Sequence, residues 1–321
     1  MLVCPEAAVR ETLDLPAIVP VVEDALVRQA RGEVERPERP HFAIGQGLED
    51  EPPLGMGIAM PAYVHGAERY ATKLVGVHED NPDRGLPTVN AVVVLTDART
   101  GLPEALLAGN ALTNARTACI GALAVREFAP DAGTLAVLGA GAQARWQTRA
   151  IATVTDLEDV RVYSPNTREA CAADLRGEGV PARAVDTPGA AVEGADAVVT
   201  TTTATEPVFP PDALAPGALV VAVGAYTPEM QELDPAVLEQ AETVLADVPS
   251  EVAETGDLLA TDLGVGDLVE FGAWLDGDRD PPAGRVAVDS VGTAVLDAAA
   301  GAFAHERAME AGLGTDIALW E

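Results

Sequence analysis

Thr134-Leu-Ala-Val-Leu138-Gly139-Ala140-Gly141-Ala142-Gln143-Ala144 decides the fold of this 321-residue chain. Residues 134–138 form a short apolar run bounded by turn signals, as a buried strand does. A Gly-x-Gly-x-x-Ala turn follows with no intervening loop, and 143–154 then reads as a helix. Gly139 permits the tight turn, Gly141 lets a pyrophosphate approach the backbone, and Ala144 allows helix and strand to pack closely. The helix N-terminus supplies free N–H groups and the positive end of its dipole. The stretch predicts a dinucleotide site.

Outward from this point the pattern alternates. Strands are predicted at 134–138, 160–163, 197–201, 219–223 and 243–246, with helices at 143–154 and 167–175 between them. Such alternation implies a mostly parallel sheet with right-handed crossovers. The N-terminal part reads differently. Ile18, Val21, Val22, Ala25 and Leu26 have a helical rhythm, residues 36–40 break it, and 54–62, 69–77 and 89–97 read as strands. A hairpin turn is expected at 97–101, and a helix at 113–128 with Thr113 as N-cap. An Ala-rich helix at 292–312 is expected to return to the first domain. The fold class is therefore α/β. A Rossmann doubly wound parallel sheet spans 116–291, and a discontinuous α+β domain is built from 1–115 and 292–321.

The second strand of the nucleotide unit ends at Ser164, where NAD sites usually place an acid for the ribose 2′-OH. Here Ser164, Asn166, Thr167 and Arg168 offer hydroxyls, an amide and a guanidinium. They suit a 2′-phosphate, so among NAD(P) cofactors the reading leans to NADP.

Bulk properties narrow the class. The net charge is −31, from 51 acidic and 20 basic residues, which argues against nucleic acid and anionic membranes as partners. It reads as a solvated acidic shell of halophilic type, suited to high salt. No apolar run is long enough for a membrane span, no signal peptide is evident, and three scattered cysteines suggest no disulfide framework. A cytoplasmic enzyme is expected. The four histidines have no metal-ligand spacing, so no metal is assigned.

Two cations stand out. Lys73 is the single lysine among 20 basic residues. An amine, unlike a guanidinium, is able to lose its proton near neutral pH. Its strand puts Ala71, Val75 and Val77 on the same face, an apolar setting that lowers an ammonium pKa and suits proton transfer. Arg116 is placed in the first turn of the helix expected at 113–128. There it opposes the helix dipole, so anion binding explains it better than helix stability.

Beyond the Gly-rich turn, the chain resembles the ornithine cyclodeaminase/mu-crystallin family, which includes archaeal-type alanine dehydrogenases and ketimine reductases. The shared positions are Lys73 with Asn81, Gly85-Leu86-Pro87-Thr88, Asp97 with Thr100-Gly101, Pro103 and Ala105, and Leu112-Thr113 with Arg116-Thr117-Ala118. They continue through 138–143, Thr205-Glu206-Pro207, Val223-Gly224-Ala225, Glu232-Leu233-Asp234, Asp289-Ser290-Val291-Gly292 and Asp297. The resemblance implies hydride transfer at the α-carbon of a small amino or imino acid bound between the domains. It implies a homodimer built on the first domain and the C-terminal helix. Lys73 and Arg116 would be catalytic, and Arg39 would grip the substrate carboxylate, with Arg36 close enough in sequence to be confused with it. Val291 would touch substrate. Thr88, Arg116, Ala142, Gln143, Ser164, Thr202, Val223, Gly224 and Ser290 would hold the cofactor. Two other outcomes are open: cyclodeamination of ornithine to proline and ammonia with a recycled NAD, and low-turnover NADP binding of crystallin type. True ornithine cyclodeaminases have an Asp where this chain has Tyr226, and a phenol replaces a carboxylate poorly at neutral pH.

Overall fold

A computed structural model describes residues 1–48 and 53–319. The chain divides into two compact units. One is Met1–Asp14, Arg31–Arg116 and Thr293–Glu321; the other is Leu15–Ala30 and Thr117–Gly292. No helix among the described residues is long and apolar enough to cross a membrane.

The second unit holds an eight-stranded parallel sheet. Its order is Ala182–Ala184, Asp159–Tyr163, Thr134–Leu138, Ala197–Thr200, Leu219–Ala222, Val286–Asp289, Thr243–Ala246 and Leu268–Glu270. The central strands are buried along their whole length because both faces are covered. The strand order reverses between Thr134–Leu138 and Ala197–Thr200. This is the topological switch point at which doubly wound folds open a crevice for ligands. Val286–Asp289 and Leu268–Glu270 were not expected from the pattern. Val286–Asp289 inserts between Leu219–Ala222 and Thr243–Ala246, although it follows both in sequence.

Helix Leu15–Ala30 belongs to this unit, although its place in the chain assigns it to the first domain. It packs against helix Phe271–Leu275, burying Ile18, Val22 and Leu26. Gly272 makes that contact possible, because a Cβ there would run into the Leu26 carbonyl. Gln29 Nε2 donates to the Asp247 carbonyl at 2.8 Å, and Arg126 forks onto both Glu23 oxygens at 2.9 and 2.7 Å. Amphipathic rhythm alone does not say which unit covers a helix.

The first unit is a mixed sheet ordered Thr315–Asp316, Leu2–Cys4, Pro103–Ala108, Val89–Asp97, Arg69–Val77, Gly55–Val64 and Val34–Glu35, with His41–Ile44 also paired to Gly55–Val64. One face packs under helix Ala294–Ala311, where Gly301 lies over Val93, Leu95 and Leu107. Thr293 caps this helix through Val295 N–H, and Gly312, at φ 65°, ends it.

Helix Gly109–Phe128 starts a turn earlier than Thr113. Gly109 follows strand Pro103–Ala108 with no loop, and a Cβ there would strike Ala91. Asn110 then bonds Ala91 N–H and the Val89 carbonyl across to the neighbouring strand. Thr113 is thus inside the helix rather than its cap.

Substituting Gly272→Ala forces a methyl into the Leu26 backbone. Calorimetry is expected to show Tm lowered by roughly 3–10 °C; an unchanged Tm would contradict this packing.

Candidate functional site

In the first unit, three elements bring charge to one buried point. Strand Arg69–Val77 supplies Lys73, flanked by Met60 and Val93 on the neighbouring strands. Helix Ala294–Ala311 supplies Asp297 from its first turn, where the helix dipole favours an anion. Helix Gly109–Phe128 supplies Arg116. Lys73 Nζ is 2.6 Å from Asp297 Oδ2, and Arg116 Nε donates to Asp297 Oδ1 at 3.0 Å. All three are buried: Lys73 is 2 % exposed, Arg116 5 % and Asp297 0 %.

Burial pushes the Lys73 ammonium down to about 8. That value already includes Asp297, which pulls it up by charge and hydrogen bond, and Arg116 and then Arg39, which lower it. Burial raises the Asp297 carboxyl, but the charges of Arg116 and Lys73 and their hydrogen bonds outweigh it and hold it below the usual carboxylate range. The apolar face foreseen for Lys73 is present, with Ala71 and Val77 buried beside it. Arg39, half-buried, is close enough for its charge to act on the amine.

The helix-terminus argument for Arg116 does not hold. Because the helix begins at Gly109, Arg116 is in its interior, and a buried carboxylate rather than free N–H groups holds it. Asp297 is one of the positions shared with the family, but the sequence assigns it no role. An acid after a Thr cap looks like ordinary dipole stabilisation; the available signal was a lone acid within an otherwise apolar Ala-rich run.

In the second unit, Gly139, Gly141, Ala142, Gln143, Ser164, Asn166, Thr167, Arg168, Thr202, Val223, Gly224, Ser290 and Val291 all follow C-terminal ends of parallel strands. Gly139 has φ 111°, and a Cβ there would collide with Thr201 Oγ1. Gly141 is the N-cap of helix Ala142–Ile151, and no side chain caps that end. A Cβ on Gly141 would meet nothing within 4 Å. The turn thus presents open space above a helix N-terminus, which fits a pyrophosphate. Arg145 ties the turn down, donating to the carbonyls of Ala140 at 2.6 Å and Gly141 at 3.1 Å and pairing with Asp174.

Arg168 folds back on its own loop. Its Nη1 donates to the Ser164 carbonyl at 3.1 Å, and its Nη2 to exposed Asp186 at 3.1 Å. Thr88 is in the first unit, before strand Val89–Asp97, and its carbonyl accepts from His78 N–H.

Buried acids brace these strand ends. Glu232 Oε2 accepts from Thr200 Oγ1 and Gly224 N–H at 2.8 Å each, and Oε1 from Thr202 N–H at 2.5 Å. Asp257 accepts the N–H groups of Glu232 and Leu233 at 2.7 Å each. Asp247 takes Ser290 Oγ, Val291 N–H and Gly292 N–H at 2.7, 3.1 and 2.8 Å. Burial pushes Glu232 up to about 7 against its hydrogen bonds, and Asp257 up to about 6. Asp289 is raised well above the carboxylate range by burial and then by the charges of Asp257, Asp247 and Glu232.

The sequence pattern of the ornithine cyclodeaminase/mu-crystallin family matches residues 1–312. The Delta(1)-pyrroline-2-carboxylate reductase of Bacillus cereus is 36 % identical over 276 residues, covering 81 % of this chain and 84 % of that protein. Thermococcus litoralis Delta(1)-pyrroline-2-carboxylate reductase, solved with NADH and L-proline, superposes with a TM-score of 0.91 at 26 % identity, over 99 % of this chain and 100 % of the other. An archaeal alanine dehydrogenase dimer with bound NAD superposes with a TM-score of 0.90 at 25 % identity, over 100 % of this chain and 99 % of the other.

The raised carboxyls set a pH dependence of stability. Glu232, Asp257 and Asp289 keep protons in the folded chain that the unfolded chain has released by about pH 4–5. Their stabilisation is full below that range and is lost as pH rises through about 6 and 7. Calorimetry in high salt, which screens surface repulsion, is expected to show Tm falling from about pH 5 to about pH 7.5. A flat or rising Tm would contradict it.

Proposed function

This chain belongs to the ornithine cyclodeaminase/mu-crystallin family, and on that premise we propose that it is an NAD(P)-dependent oxidoreductase acting at the α-carbon of a small amino or imino acid. The observation behind this reading is the buried Lys73 amine, held 2.6 Å from Asp297 and lowered to about 8. A lysine tuned to that range gives up and regains a proton at working pH.

The residues of the Gly-rich turn fit a dinucleotide: Gly139 and Gly141 cradle the pyrophosphate, and the uncapped N-terminus of helix Ala142–Ile151 faces it. When bound, the nicotinamide supplies or accepts the hydride. Lys73 moves the matching proton. Its ammonium donates to the imine nitrogen during reduction, and its amine takes a proton back during oxidation. The charges acting on Lys73 are two guanidiniums and one carboxylate, a balance that favours an anion. Arg116 and Arg39 accordingly bind the substrate carboxylate and orient the α-carbon. Val291 borders the substrate, and Thr88, Thr202, Val223, Gly224 and Ser290 line the cofactor. NADP is favoured over NAD because Ser164 stands where an acid would repel a 2′-phosphate, with Arg168 alongside. Tyr226, in place of the carboxylate that cyclodeamination needs, favours dehydrogenation or imine reduction over that alternative. Retention of the buried Lys73 likewise argues against a low-turnover binding protein.

We further propose a homodimer. The sheet face opposite helix Ala294–Ala311 exposes Leu74 and Val92 on adjoining strands and Phe42 one strand further out. An apolar face of this kind suits a second copy, and a solved relative of the same fold is a dimer.

Three outcomes test the proposal. Lys73→Ala is expected to abolish turnover on a panel of amino acids and cyclic imines while NAD(P)H binding persists; an unchanged kcat refutes the role. For the wild type, kcat/KM for reduction is expected to fall above about pH 8, where Lys73 loses its proton, and kcat/KM for oxidation to fall below it. Parallel profiles in the two directions count against the assignment. Light scattering in high salt is expected to give a dimer mass that Leu74→Asp reduces to a monomer.

A further inference from the structure

Glu232 has no place in the proton and carboxylate chemistry above, yet it is wholly buried in the second unit and makes three hydrogen bonds. Its partners belong to two neighbouring strands. Thr200 ends strand Ala197–Thr200, and Thr202 follows it. Gly224 follows strand Leu219–Ala222. The carboxylate thus joins two successive loops at the C-terminal edge of the parallel sheet. Gly224 approaches so closely that a Cβ there would collide with the Thr202 carbonyl and the Glu232 carboxyl. Asp257 holds the backbone of Glu232 in turn.

These loops lie on one side of the switch point. A dinucleotide over a doubly wound sheet puts its adenosine half beside the first strands and its nicotinamide half beside the strands past the reversal. Here the Gly-rich turn and Ser164 are on the adenosine side. The loops joined by Glu232 are on the nicotinamide side.

We propose that Glu232 is a positioning residue for the nicotinamide half of the cofactor, acting through the N–H groups of Thr202 and Gly224. The inference rests on the dinucleotide reading above. Above about pH 7, where Glu232 is ionised, the carboxylate suits the task because all three partners donate. A glutamine of the same shape would turn an NH2 group toward either Thr202 N–H or Gly224 N–H, leaving a buried donor facing a donor. The clamp then opens at one loop, while the Gly-rich turn keeps its own bonds to Arg145 and Tyr163.

The test separates the two halves of the ligand. At about pH 8.5, where Glu232 is ionised, wild type and Glu232→Gln are titrated with the tighter of NADH and NADPH, and with the matching adenine half alone, ADP or 2′,5′-ADP. The variant is expected to weaken reduced-cofactor binding by about tenfold or more, while the adenine half changes by less than about twofold. Thr200→Val removes one donor and keeps the carboxylate. It is expected to shift the same ratio in the same direction by a smaller amount, and it decides the matter should Glu232→Gln not fold. Equal losses for both ligands, or no loss of the reduced cofactor, overturn the role of Glu232. Failure of the wild type to bind either reduced cofactor overturns the dinucleotide reading itself.

Discussion

The ion cluster of Lys73, Asp297 and Arg116 is the constraint on which the first unit's chemistry depends. Each charge taken out of water costs several kcal/mol unless a partner returns it. Asp297 makes burial of both cations tolerable, and it can do so because a strand and two helices meet there. The same burial that makes the cluster costly lowers Lys73 to about 8. The cost of burial and the lowered pKa share one cause: an apolar face that disfavours charge, and a single carboxylate that limits how far the shift runs.

The second unit solves a related problem with carboxylates alone. Parallel strands end in loops whose N–H groups lack ladder partners, and buried N–H groups must be paired. Glu232 joins the ends of Ala197–Thr200 and Leu219–Ala222; Asp247, just past Thr243–Ala246, takes up the backbone after Val286–Asp289. The loops so tied include Thr202, Gly224, Ser290 and Val291, all named from family resemblance. Carboxylate ties hold this irregular backbone in one shape at the C-terminal edge of the sheet.

These acids also qualify the meaning of composition. A charge of −31 reads as an acidic shell, yet Glu232, Asp247, Asp257, Asp289 and Asp297 are all buried. Some of the acidity is internal bracing, and part of it is protonated near neutral pH rather than charged.

By itself the sequence determined what depends on local pattern. The strand, Gly-rich turn and helix at 134–151 are legible because three or four residues do the work within one turn. Lys73 stood out because nothing else in the chain is a lysine, and its strand neighbours already set its polarity. The tertiary structure decided whatever needed distant residues to meet. Asp297 lies more than 200 residues from Lys73, so no window of sequence joins them. Helix Leu15–Ala30 has an apolar stripe that any partner would satisfy, and only packing on Phe271–Leu275 settles which one does. Strand Val286–Asp289 enters the sheet ahead of an earlier strand, and sheet order is a matter of hydrogen-bond pairing in space, which chain order does not encode.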